Sequence, residues 1–260
     1  MKIYILADME GVSGIRKPAQ VDMQGAEYHA EGRTLMMQEM NVAIEAAFAG
    51  GADEVVACDT HGGGGQVRVG EMNERAVYET PNMRRLMPSL DETFDGAILL
   101  GHHARAGTLD AFLDHTMSSA SWFEYRINDQ VVGEIGIEAA WAGHYDVPVI
   151  MVSGDQATAD ETKDLLGDVE TAVVKWGIGR QAVRCLSLPK AHSVIAETTK
   201  RAVKRAAKQQ FQPFKPKLPA TVQLTLYRSD MADDMAVHGW DRVDARTVRK
   251  TVGSMLEMRW

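Results

Sequence analysis

The sequence predicts an α/β protein: a mainly parallel, mixed sheet with flanking helices, followed by a smaller C-terminal α+β lobe. Three observations carry this expectation. Short apolar runs rich in Val, Ile and Leu stand at 3–7, 55–57, 97–100 and 147–152 without in/out alternation, as expected of strands covered on both faces. A helical pattern over 27–50 separates the first two runs and closes at Gly50-Gly51, which makes a strand–helix–strand unit. Around Asn128-Asp129 the text WFEYRINDQVVGEIG gives two short β runs about a turn dipeptide, a hairpin that makes the sheet mixed.

The last third reads differently. Residues 189–210 form a helical pattern carrying Lys200, Arg201, Lys204, Arg205 and Lys208. Spacings of one, three and four suit a solvated helix face better than a nucleic-acid-binding one. Pro213, Pro216 and Pro219 then make a stiff connector, and TVQLTLY alternates as a strand. The expected division is a catalytic α/β domain over 1–185 and a smaller lobe over 186–260. Met36, Met37 and Met40, at helical spacing, read as core filling.

Composition narrows the function. Against 28 Lys+Arg stand 36 Asp+Glu, a net charge of −8 over 260 residues, which argues against a nucleic-acid partner. Two cysteines, Cys58 and Cys185, are too few for a disulfide framework or a structural zinc cluster. No apolar run approaches the ~20 residues of a membrane span. The opening MKIYILADME reaches Asp8 too soon for a signal peptide. The expectation is a cytoplasmic protein with no membrane partner.

The chemistry lies at the ends of the apolar runs. The first ends in Asp8-Met9-Glu10-Gly11, the second in Asp59-Thr60-His61-Gly62, the third in Gly101-His102-His103-Ala104-Arg105. Ligands of open α/β sheets bind beyond the carboxyl ends of strands, so these residues converge on one crevice. Asp8 and Glu10, two apart, leave an extended segment on the same face and repel unless a cation lies between them. His61 precedes Gly62, Gly63, Gly64 and Gly65, which suit a flexible active-site loop better than a phosphate cradle. Of His102 and His103 only one should face the crevice, the other being a buried hydrogen-bonded residue. Glu134, in VVGEIGIE, is a carboxylate in an otherwise apolar strand, where it needs a partner. His115, in LDHTM, is a further titratable group. Asp8, Glu10, His61, His103 and Glu134 form a thiolate-free set suited to Zn²⁺, Mn²⁺ or Co²⁺. Five ligands exceed what one open catalytic zinc takes and suit a pair of ions sharing a carboxylate.

The motifs ADMEGVSG, CDTHGG, LGHHARAG, DHTMSS, INDQVVGEIGIEAAWAGHYDVPVIMVSGD and VKWGIGRQAVRCLSLPKA, in order over residues 1–191, resemble the zinc-dependent D-aminopeptidases of the bacterial dipeptide-transport operon type. The resemblance implies two zinc ions per chain on those five residues. By the same resemblance Asp8 would bridge, with Glu10 and His61 completing one metal and His103 and Glu134 the other. It also implies a catalytic role for His115, a short peptide substrate and a homo-oligomer, a ring-shaped decamer. The chain departs from the family at His102, where an aromatic residue is usual, at Asp59-Thr60-His61 and in the glycine loop.

The leading reading is therefore a dinuclear metallo-aminopeptidase acting on short peptides that contain D-amino acids, with His115 as acid/base partner or nucleophile. A two-metal phosphoesterase is the alternative; it needs a basic clamp, for which Arg105 is the nearby candidate. A silent metal- or peptide-binding module of the same fold is the third.

Overall fold

The computed structural model describes residues 1–81 and 85–258. Seven strands form the larger sheet: β1 (Lys2–Ala7), β2 (Glu54–Asp59), β3 (Val77–Glu79), β4 (Gly96–Leu100), β7 (Val149–Asp155), β8 (Glu170–Gly179) and β9 (Ala182–Cys185). Their order is β3-β2-β1-β4-β7-β8-β9, parallel throughout except for the β8–β9 pair. Both faces are covered. Ile3, Ile5 and Ala7 point to one apolar cluster, with Met36, Met37, Met40 and Ile44 of helix α1 (Arg33–Gly50) and Ile195 and Val203 of α4 (Leu188–Ala206). Tyr4 and Leu6 point to the other, with Ile135, Ala139 and Trp141 of α2 (Glu134–His144). This explains why the strand runs lack alternation: each consecutive side chain is buried, on opposite sides.

The expected helix over 27–50 is present in two parts, a π-helical turn at Tyr28–Gly32 running into α1. Gly51, at φ +111°, ends it in the left-handed region. The hairpin about Asn128-Asp129 is also present, as β5 (Trp122–Ile127) and β6 (Gln130–Val132). It does not join the large sheet. It is one edge of a second, antiparallel sheet, ordered β11-β12-β10-β5-β6, with β10 (Ala220–Leu226), β11 (Asp241–Arg242) and β12 (Thr247–Val252). The large sheet is mixed through β9 instead. The remaining helices are α3 (Gln156–Leu166) and α5 (Ser229–Val237).

The boundary expected at 185/186 does not separate the two sheets. The small sheet takes strands from both sides of it, and α4 packs its apolar stripe on α1 and the large sheet. The basic face of α4 is solvated, with Arg201 and Arg205 pairing with Glu170 and Asp168.

Glu134 corrects the sequence reading. It is not in a strand but opens α2, the helix wedged between the two sheets, every residue of which from Glu134 to Gly143 is buried. A helix apolar all round shows no 3.6-residue period, so its text cannot be told from a strand.

The loops beyond β1 and β4 touch. Gly11 lies so close to the second that a Cβ there would come within 1.9 Å of the His102 carbonyl oxygen. Gly11→Ala must push the two loops apart. We expect it to cost about 1–3 kcal/mol, visible as a thermal midpoint lowered by several degrees.

Candidate active site

Strand order reverses at the centre of the large sheet. From β1 the chain runs outward to β2 and β3, then returns to β4 on the other side of β1. The crevice outside the carboxyl ends at such a point is where open α/β sheets hold ligands. Asp8 and Glu10 enter it from β1, His61 from β2, His103 from β4 and Glu134 from the first turn of α2. His115 arrives from the loop between β4 and β5.

Asp8 lies in the middle. Its Oδ1 is 3.2 Å from His61 Nδ1 and its Oδ2 is 3.3 Å from His103 Nε2. On one side Glu10 Oε2 stands 3.1 Å from the same His61 nitrogen; on the other, Glu134 Oε1 stands 3.2 Å from the same His103 nitrogen. The result is two three-residue donor sets sharing one carboxylate. All three carboxylates are buried. His103 Nε2 is buried too and forms no hydrogen bond, although two carboxylates flank it. An orphaned nitrogen between buried carboxylates, with a hard and borderline donor set, fits a divalent cation.

The imidazoles and carboxylates of the cluster shift one another's titration. Burial by itself would lift the Asp8 pKa, but the charge of the nearby His103 and His61 imidazoles, with the hydrogen-bonding contact to His61, holds it well below the usual carboxylate range. Burial would depress both imidazoles, yet Glu10 and Asp8 push His61 well above its ordinary value, and Glu134 and Asp8 do the same to His103. Glu134 is held low against burial mainly by His103. A bound cation takes the place of protons on such groups.

His115, which is not one of the five, adjoins them in space. Its ring stacks on His103 at 3.9 Å with a 10° interplanar angle, and its Nε2 is 3.6 Å from Glu134 Oε1. His115 Nδ1 is 2.8 Å from the Leu113 carbonyl oxygen, and Met117 N donates to Glu134 at 2.7 Å. A cavity of about 910 Å³ opens over the cluster, lined by Asp8, Glu10, His61, His115 and Glu134 among others. Gly62 and Gly63 lie on its wall. Two of the loop's own amides already have acceptors, Gly63 N donating to the Thr60 carbonyl at 3.1 Å and Gly64 N to the His61 carbonyl at 2.9 Å, and the next two, Gln66 N and Val67 N, donate to Asp59 Oδ2 at 3.2 Å.

Behind the cluster is a layer of buried polar groups. His102, fully buried, has its Nε2 2.5 Å from Glu138 Oε2, so the residue beside His103 is tied to the helix turn after Glu134. Glu39 accepts from Ser13 N at 2.7 Å and from the Ser13 hydroxyl, while Gly101 N donates to Ser153 Oγ at 2.8 Å. Lys175, buried among apolar strand residues, donates from Nζ to the Glu10 and Ile15 carbonyls at 2.8 Å each. Burial brings its pKa down to about 8. Sequence reading missed Glu39, Glu138 and Lys175; the available signal was a charged residue inside an apolar pattern. Arg105, the candidate phosphate clamp, is turned away and pairs with Glu161. Arg85 and Arg180 line the cavity instead.

The profile of the D-aminopeptidase family matches residues 1–259. The chain belongs to that family. It is 39% identical over 218 residues to a D-aminopeptidase of Bacillus subtilis (strain 168), an alignment covering 83% of this chain and 78% of the relative. In three dimensions it is similar to the Zn-dependent D-aminopeptidase DppA from Bacillus subtilis, described as a self-compartmentalizing protease. That match has a TM-score of 0.93 at 34% identity, over 99% of this chain and 93% of DppA. No helix among the described residues is long and apolar enough to cross a membrane.

The His102–Glu138 pair gives this D-aminopeptidase a pH signature. Burial disfavours the imidazolium, but Glu138 outweighs it and raises His102 to about 9. A base whose folded pKa is raised contributes stability that is complete below its unfolded value near 6.5 and lost as pH climbs through about 9. Urea unfolding of the native chain should therefore show stability declining between those limits, and Glu138→Gln should flatten the decline.

Proposed function

We propose that the chain is a dinuclear zinc aminopeptidase that removes the N-terminal residue from short peptides containing D-amino acids. The observation that carries the reading is the shared carboxylate: Asp8 presents one oxygen to His61 beside Glu10 and the other to His103 beside Glu134. Asp8, Glu10 and His61 would hold one ion, and Asp8, His103 and Glu134 the second, with Mn²⁺ or Co²⁺ as substitutes. Zinc, when bound, supplies Lewis acidity that polarises a peptide carbonyl and lowers the pKa of water.

The chain's own residues do the rest. The Leu113 carbonyl accepts from His115 Nδ1–H, which in the neutral ring leaves Nε2 with its lone pair. That nitrogen, on the cavity wall beside the donor set, takes the proton that the attacking water loses and delivers it to the leaving amine as the C–N bond breaks. Stacking on His103 fixes the ring's plane. Glu134 therefore has two neighbours, one imidazole in the metal set and one for proton transfer. The phosphoesterase reading gives way because the family is one of peptidases; Arg105, its candidate clamp, lies beside Glu161 and not on the cavity wall.

Metal analysis of zinc-loaded protein should give about two ions per chain. His61→Ala should lose metal and activity together. His115→Ala should keep both ions while kcat on D-alanyl peptides falls by about 10²–10⁴-fold; a normal kcat would remove His115 from the mechanism. We further propose a closed homo-oligomer on the strength of the self-compartmentalizing relative, with a ring of ten chains as the form that the family resemblance implies. Light scattering should give a mass several times that of one chain, and a monomer at micromolar concentration would end that reading.

A further inference from the structure

The cavity wall is acidic where the donor set lies, with Asp8, Glu10, Glu134 and Asp22, yet Arg180 also lines it. Arg180 sits at the turn between β8 and β9, and its backbone oxygen accepts from Leu113 N at 2.9 Å. That backbone bond joins the turn to the segment carrying His115. The guanidinium is held by one atom. Its Nε is 3.3 Å from both the Asp114 carbonyl and Asp114 Oδ1. Asp114 is itself fixed, its other carboxylate oxygen accepting from Gly107 N at 2.7 Å. Nη1 and Nη2 have no protein partner among the described residues, and the side chain is about half exposed (47%).

An arginine on a cavity wall, anchored through Nε and with no partner for its terminal nitrogens among the described residues, is pre-organised for a carboxylate. We infer that Arg180 binds the free C-terminal carboxylate of the substrate, which restricts the enzyme to short peptides ending within the cavity. The inference rests on the aminopeptidase reading above. A short peptide is a zwitterion, and the wall has the matching polarity outside the metal set: the Asp22 carboxylate for its amine, a guanidinium for its other end. A carboxylate one or two residues past the scissile bond lies about 3.5–7 Å along the chain, within a cavity of about 910 Å³. Blocking or extending that end leaves the guanidinium without its partner.

The test compares D-alanyl-D-alanine with D-alanyl-D-alanine amide, which share the scissile bond and differ only in terminal charge. Release of the first D-alanine is followed in zinc-loaded wild-type, Arg180→Gln and Arg180→Lys proteins. The wild type should prefer the free acid, chiefly through KM. Arg180→Gln should lower the ratio of the two kcat/KM values by about 10- to 100-fold, and Arg180→Lys should restore part of it. A wild-type ratio near one, or equal losses on both substrates in Arg180→Gln, overturns the assignment. The second result would mark the side chain as merely supporting the His115 loop. If Arg180→Gln fails to fold, the wild-type ratio and Arg180→Lys decide. A wild type that cleaves neither substrate sinks the aminopeptidase reading itself.

Discussion

Three carboxylates buried within a few ångströms of one another are the constraint around which this molecule is arranged. Asp8, Glu10 and Glu134 cannot all be charged there without positive partners. The fold supplies His61 and His103 from the strands on either side of β1, one to each oxygen of Asp8. Strand order makes this possible. Because β1 lies between β2 and β4, a residue just past its end is flanked by the ends of both neighbours.

Rigidity behind the cluster comes from polar groups that never reach the cavity. Lys175 holds the Glu10 and Ile15 carbonyls, Glu39 holds Ser13, and Gly101 is bonded to Ser153. Together they fix the loops after β1 and β4, which the absence of a side chain at Gly11 lets come into contact. Buried polar groups are costly unless satisfied, and satisfied ones define a single geometry. A donor set that must meet a small ion within a fraction of an ångström needs that definition.

Helix α2 joins the two sheets to the chemistry. Ile135, Ala139 and Trp141 pack under the large sheet, while Ile137 and Ala140 pack under the small one. Its first residue delivers Glu134 and its second turn delivers Glu138 to His102. The small sheet is thus part of what positions a residue of the site, although its strands come from distant parts of the sequence.

The sequence by itself determined the α/β class, the strand ends and the residues standing on them, because buried parallel strands must be apolar and the change to Asp, His and Glu is abrupt. The choice between His102 and His103 was also half legible: alternation dictated that only one face the crevice, and in the structure His103 stands beside Asp8 and Glu134 while His102 turns to Glu138. It could not determine which sheet the hairpin joins, since strand pairing depends on β10, nearly a hundred residues later. Nor could it place Glu134 on a helix, because a helix buried on every side carries no period. Lys175, Glu138 and Arg180 were equally out of reach. Each acts on a partner far along the chain or on a cavity wall, and such distances exist only once the two sheets close on α2.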